Sequence, residues 1–283
     1  MKYLCKGWQG IWTDVKVQSQ SILRIDQNGV SEPVQSAGQF FVDTQAETQM
    51  DDIVLGNFLE EMHNTLYSDM AISKVHEKYS CEQMMGWSGV QIQSILNGHP
   101  KLLLNKGRIT WSAGDLKEFA PENQPALRLM WLAIRKDSVL SAQIDGVDSD
   151  KILSQSMDAA ELARFKELLQ KNQISSTEFS FVPVHPWQWD RFIQTQFAGE
   201  LSLGTIVALG VFGDTYQPQI SLRTLSNISR PGLWDIKLPL TILNTSSIRG
   251  IAAKYIPVGG DLPKKISAIC AGDAVLRNVQ VLN

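Results

Sequence analysis

The strongest constraint on the fold is a run of four strand-like segments, at residues 178–184, 204–212, 219–225 and 233–243. Only short turn-forming stretches, Gly-Asp and Arg-Pro-Gly, separate the last three. Strands that follow one another without an intervening helix pair as an antiparallel meander rather than as βαβ units. The pattern therefore predicts an α+β fold, in which helices pack on a mostly antiparallel sheet.

Helical patterns lie on both sides of this strand-rich part. Asp51 and Asp52 precede apolar residues at three- and four-residue steps up to residue 66, which predicts a helix with an acidic first turn. Further helices are predicted at residues 81–96, 159–169 and 262–276. The apolar segment 127–135 favours a buried strand over a short buried helix. We place a boundary near residue 120, between a helical region at 1–120 and a strand-rich region at 121–283.

Composition excludes several classes of protein. The 283 residues are 43% hydrophobic and 19% charged, which is enough to bury a sizeable core. A formal net charge of -3 disfavours nucleic acid or an anionic membrane as the partner. Without an apolar leader or a long apolar run, the protein is predicted to be cytoplasmic and soluble. The three cysteines are widely spaced and lack a metal-ligand pattern, so neither a disulfide framework nor a metal site is predicted.

The first segment with chemical potential is GHPKLLLNKGR, at residues 98–108. It places His99, Lys101, Lys106 and Arg108 close together without an acidic residue. Such a group fits an anion-binding site, although a solvated loop would show scattered cations as well. The sequence lacks the Walker A, GxGxxG, GxSxG and HExxH patterns, so the common nucleotide-binding folds and hydrolases are not supported, and any ATP would bind to a different arrangement of residues.

The second segment is His-Pro-Trp-Gln at residues 185–188. Pro186 keeps the preceding histidine out of helical geometry and suits the first turn of a helix that begins near Trp187. A structural role for His185, with its ring bonded to nearby backbone groups, is favoured over a catalytic one.

The third segment combines SLRT at residues 221–224 with KLPLTILNTSSIR at residues 237–249. On a strand, Ser221 and Arg223 would project from one face, while Lys237 would lie opposite the apolar set. Asn244 and Thr245 would cap a short helix at 245–249, whose free N–H groups would bind phosphate or carboxylate.

Charge supports an anion site in the third segment. Residues 219–249 carry four cations against one aspartate, and residues 98–108 carry three cations, within a protein that is acidic overall. Arginine recognises phosphate through two parallel hydrogen bonds. The alternative is an ordinary polar sheet face with scattered cations.

Taken in order, these segments resemble the signature of the NRPS-independent siderophore synthetases of the IucA/IucC type. The family pattern has a Gly-His-Pro loop with Lys and Arg, a His-Pro-Trp-Gln element, a Ser-x-Arg-Thr strand, and a Lys-Leu-Pro-Leu strand that ends in Asn-Thr and an Arg. The resemblance extends from about residue 50 to residue 283, and the ordered set is more specific than any single motif.

The resemblance implies a thumb, fingers and palm architecture, of which this chain would supply the thumb and fingers. It implies an ATP-dependent ligase that activates a carboxylate as an acyl-adenylate, which an amine or hydroxylamine then attacks. His99, Arg223 and Arg249 would be catalytic, and His99, Ser221 and Arg249 would bind substrate. The ATP-binding residues would be Lys106, Arg108, Ser221, Arg223, Thr224, Lys237, Asn244 and Thr245.

Two departures accompany the resemblance. Family members are about twice as long, so the C-terminal palm domain is an expected partner that would supply the Mg²⁺ ligands. The first 45 residues also lack the usual helical opening. The Asn-Lys-Gly form of the first loop is closest to members that couple N-hydroxy-N-succinyl diamines into macrocyclic hydroxamates such as alcaligin, bisucaberin or desferrioxamine. Condensation of citrate is the alternative reaction. Two nonenzymatic alternatives are an anion-binding module and a structural half that receives the palm domain. A homodimer is compatible with the family.

Overall fold

The computed structural model describes residues 1–10, 15–18, 20–99, 102–144, 146–244 and 247–278. Helices cluster in the first half and border the sheet in the second. They are α1 (Ala37–Asp43), α2 (Gln45–Thr48), α3 (Asp52–Lys78), α4 (Cys81–Met84), α5 (Gly89–Ile95), α6 (Ala113–Phe119), α7 (Ser149–Ser156), α8 (Ala159–Lys171), α9 (Pro186–Gln188), α10 (Gln194–Gln196), α11 (Ala198–Ser202) and α12 (Asp261–Gly272). A π-helical turn covers Trp189–Ile193, and 3₁₀ turns cover Pro121–Asn123, Lys136–Ser138, Ala253–Tyr255 and Leu276–Asn278.

The strands form four antiparallel groups. They are β1 (Lys2–Leu4), β2 (Gly7–Gln9), β3 (Val15–Val17), β4 (Leu23–Ile25), β5 (Ser31–Pro33), β6 (Leu127–Arg135), β7 (Phe179–Val184), β8 (Ile206–Pro218), β9 (Thr224–Asn227), β10 (Ile236–Lys237), β11 (Leu243–Asn244) and β12 (Ser247–Ile248). The main sheet has the order β10-β9-β8-β6-β7, so the predicted meander and the α+β class are confirmed. Small sheets, β1-β4-β5 and β2-β3, occupy the N-terminal part that the sequence left unassigned.

Strand β6 is an interior strand of the sheet, because it pairs with the edge strand β7 on one side and with β8 on the other. Trp131 packs against Phe165 of α8 on one face, with their ring centroids 5.8 Å apart, while Met130 and Leu132 pack in a separate apolar cluster. Burial on both faces explains why this segment is apolar without alternation. The predicted strand at residues 127–135 is confirmed.

The helical predictions are confirmed in position and partly wrong in extent. Helix α3 begins after its N-cap Asp51, as predicted, but continues to Lys78. The helix predicted at 81–96 is two helices, because Ser88 starts α5 with a capping box that involves Gln91. No helix in the described residues is long and apolar enough to cross a membrane.

Three predicted strands are wrong in extent. Strand β8 does not end at residue 212 but continues through Gly213 and Asp214, the predicted turn, to Pro218. The chain turns at 219–223, where Leu222 has φ +68°, and β9 begins only at Thr224. In the segment 233–243, regular pairing stops after Lys237, since Pro239 has no N–H to donate to a ladder. Burial still alternates beyond β10, because Leu238, Leu240 and Ile242 are buried. The domain boundary near residue 120 stays a prediction.

Candidate functional site

The Gly-His-Pro loop is folded around Lys106. Lys106 Nζ donates to Asp69 Oδ1 at 2.8 Å and to the Asn97 carbonyl at 2.8 Å, and Lys106 is only 3% exposed. Gly98 has φ +88°, and a Cβ there would lie 2.5 Å from Asn105 Oδ1. Glycine is therefore required for this turn. The buried Lys106 side chain is thus paired with a carboxylate, Asp69, whose side chain is 40% exposed.

Arg108 is likewise paired inside the protein. Its guanidinium forms a two-pronged contact with Glu122, in which Nη2 lies 3.0 Å from Oε2, and Nη1 lies 3.3 Å from Ser68 Oγ. Burial raises the pKa of Glu122, but the charge and hydrogen bonds of Arg108 outweigh this effect and hold the pKa below its usual value. Phosphate binding by Lys106 or Arg108 stays a prediction, and their observed partners are carboxylates.

Asn244 joins this loop to the hairpin of β11 and β12. Its Oδ1 accepts from the Arg108 N–H at 3.2 Å, and its Nδ2 donates to the Asn105 carbonyl at 3.3 Å. The Ile109 N–H also donates to the Leu243 carbonyl at 2.9 Å. Two motifs that lie more than 130 residues apart in sequence therefore meet.

The prediction of a short helix at residues 245–249 is wrong. Asn244 pairs with Ser247, and Leu243 with Ile248, in an antiparallel hairpin. The Asn244 carboxamide oxygen accepts from the first loop instead of capping a helix. Thr245 lies outside the described residues, so its predicted role in ATP binding stays a prediction.

The Ser-x-Arg-Thr segment is a turn that leads into β9. The prediction that Ser221 and Arg223 are neighbours on one strand face is therefore wrong. The Ser221 hydroxyl oxygen accepts from the Thr224 N–H at 3.1 Å. Arg223 Nη1 donates to the Gly250 carbonyl at 2.5 Å. Because residue 250 directly follows Arg249, this bond places the two arginine-bearing segments side by side.

Backbone hydrogen bonds place the segment that carries Lys237 beside the segments that carry Arg223 and Arg249. Lys237 is the register partner of Thr224, and the next N–H, of Leu238, donates to the Arg223 carbonyl at 2.7 Å. Two residues further on, the Leu240 N–H donates to the Arg249 carbonyl at 2.9 Å. Alternate N–H groups of an extended chain point to the same edge, so Arg223 and Arg249 lie in succession along one edge of the segment that carries Lys237.

Exposure fits a ligand-facing role for these cations. Lys237 is exposed, and Arg223 and Arg249 are half-buried. Arg230 belongs to the same group of cations in the sequence but is different in the structure. Its Nε donates to both carboxylate oxygens of buried Asp214, at 3.0 and 2.9 Å. Lys237, Arg223 and Arg249 are therefore at least partly accessible to a ligand.

His99 is exposed, and its Nδ1 accepts from the Leu102 N–H at 3.2 Å. It belongs to the loop that Asn244 fastens to the hairpin. The loop is thus connected to the arginine-bearing hairpin through the backbone, and a direct contact of His99 with a ligand stays a prediction.

The His-Pro-Trp-Gln element is structural, as predicted. His185 is 0% exposed, and its Nδ1 accepts from the Trp187 N–H at 3.1 Å. Gln188 Nε2 donates to Thr241 Oγ1 at 2.9 Å, while its Oε1 accepts from the Thr241 N–H at 2.8 Å. This element therefore supports the segment that carries Lys237.

A cavity of about 630 Å³ lies beside that segment. Pro239, two residues after Lys237, lines it, whereas Arg223, Lys237 and Arg249 are not among its lining residues. Most of the other lining residues are apolar, among them Leu132, Val182, Val184, Ile193 and Ile206. The segment that carries Lys237 thus borders a mostly apolar cavity.

Sequence reasoning missed the carboxylates Glu122 and Asp69. Neither lies in a motif. Asp69 is 37 residues from Lys106 and Glu122 is 14 residues from Arg108, so a short local pattern does not reveal either pair. Among the described residues, no group of three or more His, Cys, Asp or Glu side chains is placed to hold a metal ion.

Comparison with known proteins places the chain in a family. The profile described as the IucA / IucC family matches residues 90–283. An aerobactin synthase of Escherichia coli is 35% identical over 95% of this chain and 45% of its own length. A putrebactin synthase of Shewanella sp. (strain MR-4) is 33% identical over 86% of this chain and 38% of its own length.

Solved structures agree. The aerobactin synthetase IucC of Klebsiella pneumoniae matches with a TM-score of 0.85 at 31% identity, over 97% of this chain and 48% of that chain. The petrobactin biosynthesis protein AsbB of Bacillus anthracis str. Sterne matches with a TM-score of 0.79 at 26% identity, over 98% and 45%. The fold and the convergent cationic motifs define a siderophore-synthetase-like α+β protein. The chain belongs to the IucA/IucC family, and it spans about half the length of the curated relatives it matches.

Proposed function

We propose that the protein to which this chain belongs is an ATP-dependent siderophore synthetase, which condenses a carboxylate with an amine or hydroxylamine. Family membership supports the reaction class, and the meeting of the Arg223, Lys237 and Arg249 segments supports the site. In the proposed reaction, a carboxylate oxygen attacks the α-phosphorus of ATP and pyrophosphate leaves. The amine or hydroxylamine nitrogen then attacks the acyl carbon, loses its proton and displaces AMP.

The cationic residues have electrostatic roles in this proposal. Negative charge increases on the α-phosphate oxygens as pyrophosphate departs, and fixed guanidinium and ammonium groups stabilise that charge. Arg223 and Arg249 would bind the phosphates and the activated carboxylate, and Lys237 would neutralise the triphosphate. Ser221, Thr224 and His99 would orient the ligand by hydrogen bonds. Mg²⁺ would be held mainly by acidic residues of the C-terminal palm domain. Asp69 and Glu122, the carboxylates beside the Gly-His-Pro loop, are paired with Lys106 and Arg108.

The apolar cavity beside the Lys237 segment supports a choice of substrate class. Its apolar lining suits the polymethylene chain of an N-hydroxy-N-succinyl diamine better than citrate, whose surface is almost wholly polar. We therefore propose an amide-forming enzyme of hydroxamate siderophore biosynthesis that acts in the cytoplasm, with citrate condensation as the second candidate. A homodimer is compatible with either.

The direct test is product formation by the full-length gene product. Incubation with ATP and N-hydroxy-N-succinyl diamines is expected to give AMP and pyrophosphate in equal amounts, with less turnover on citrate. Liquid chromatography with mass spectrometry would identify the amide product. AMP formation with citrate but not with the diamines would favour citrate condensation, the second candidate. The absence of AMP with every carboxylate, in a protein that binds phosphate ligands, would favour a nonenzymatic anion-binding module.

Narrowing the cavity provides a second test of the substrate class. Val182→Phe is expected to raise KM for the diamine substrate about tenfold, because the larger ring would occupy space that the polymethylene chain requires. KM for ATP should change less than twofold. The matched control is Val211→Phe, since Val211 is 50% exposed on β8 and does not line the cavity. Equal effects on the two KM values would contradict a role of the cavity in diamine binding.

A further inference from the structure

The buried ion pair of Arg108 and Glu122 has no role in the chemistry proposed above. Arg108 is 2% exposed, and the Glu122 side chain is 3% exposed. Two opposite charges that leave water together gain little net stability, since their attraction is offset by the loss of hydration. The pair is therefore better explained by the geometry that it fixes.

Arg108 links four parts of the chain. Its guanidinium contacts Ser68 of α3 and Glu122 of the 3₁₀ turn after α6, and it lies 5.9 Å from the ring centroid of Trp111. Its backbone N–H donates to Asn244 of β11. A contact with a bound phosphate would have to displace Glu122 from this arrangement.

The backbone around Arg108 is in a disfavoured conformation. Arg108 has φ +40°, and Thr110 has φ +87°. L-residues rarely adopt the left-handed region, and β-branched residues such as threonine adopt it least. Such strain persists only where the surrounding contacts determine the conformation. The ion pair and the bond to Asn244 are contacts of this kind.

We propose that Arg108 and Glu122 are positioning residues whose ion pair holds residues 106–110 in this conformation. The pair thereby keeps the Gly-His-Pro loop against the hairpin that leads to Arg249. The inference rests on the proposed function, because the two segments that it aligns are those assigned to the nucleotide. It gives Arg108 a different role from the phosphate contact that the sequence predicts.

The two roles of Arg108 predict opposite behaviour at Glu122. If Arg108 binds phosphate, Glu122 competes for the same guanidinium, and removal of Glu122 would leave the affinity for ATP unchanged or increase it. If the pair positions the loop, removal of either partner weakens ATP binding equally. Replacement of both partners by apolar residues of similar size would then restore it, because a buried ion pair can be exchanged for packed side chains without loss of stability.

The experiment compares Arg108→Met, Glu122→Leu and the double variant in the full-length protein by steady-state AMP formation. Each single variant is expected to lower kcat/KM for ATP about 10²-fold, the effect of displacing a binding group by about 1 Å. The double variant should recover to within about tenfold of the parent. A double variant as inactive as Arg108→Met would overturn the inference in favour of a phosphate contact. Parent-like activity of Glu122→Leu would also overturn it.

Hydrogen exchange separates positioning from general stability and from failure of the proposed function. Protection of the Ile109 amide, which bonds to the Leu243 carbonyl, should fall in both single variants and return in the double variant. Amides of β6 should keep their protection, which shows that the sheet is folded. Unchanged protection at Ile109 would contradict the inference even if the parent forms no AMP. If a single variant does not fold, Glu122→Gln and Arg108→Lys replace it, with the same expected loss of protection.

Discussion

Replacement of Arg223 or Arg249 by alanine in the full-length protein is expected to lower kcat about 10²- to 10³-fold, the cost of removing one preorganised donor to a developing anion. The effect should fall mainly on kcat, because these guanidiniums stabilise charge that increases in the transition state. The measurement is the steady-state rate of AMP release at saturating ATP and substrate. A rise in KM with unchanged kcat would indicate ground-state binding alone.

Two features of the structure sharpen this test. Arg223 also donates to the Gly250 carbonyl, so Arg223→Lys retains one donor and should recover part of the rate, but not the two-pronged geometry of arginine. Arg164→Ala is the matched control, because the Arg164 side chain is 67% exposed on α8 and pairs only with Glu161 among the carboxylates. Parent-like rates for both Arg223→Ala and Arg249→Ala would remove the site assignment.

The fold class was predictable because its determinants are local. Periodicity and turn residues were enough to interpret the apolar run at residues 127–135 and the close succession of later strands. Helix α3 was predictable because Asp51 caps it within one turn. Its full length was not, since the last turns are held by packing against distant parts of the chain.

The residues of the candidate site were predictable from the sequence, but the local geometry predicted for them was wrong. The sequence placed Ser221 and Arg223 on a strand face, but a turn at Leu222 intervenes, because its buried side chain packs in the core with left-handed backbone geometry. Asn244 was expected to cap a helix and instead bonds to Arg108 and Asn105. Both bonds of Asn244 join residues that are more than 100 positions apart, and no local pattern specifies them.

Stability should also respond to acid through His185, at the start of α9. The ring is wholly buried, and burial lowers its pKa from 6.5 to about 3. Above pH 6.5 the ring is neutral in both the folded and the unfolded chain, so its contribution does not change. Between pH 6.5 and about 3, the unfolded chain binds a proton that the folded chain does not, and the free energy of unfolding falls as the pH falls.

The expected loss from His185 is about 1.4 kcal/mol per pH unit, or roughly 3 kcal/mol between pH 6.5 and pH 4. Other groups titrate in the same range, so the informative quantity is the difference between the parent and His185→Asn. Asparagine can still accept from the Trp187 N–H as an N-cap but does not titrate. Denaturant unfolding at several pH values should show the parent more stable at pH 7, with its advantage shrinking toward pH 4. Parallel curves for the two proteins would mean that the ring accepts a proton in the folded state, and would require a partner for Nε2, which has none among the described residues.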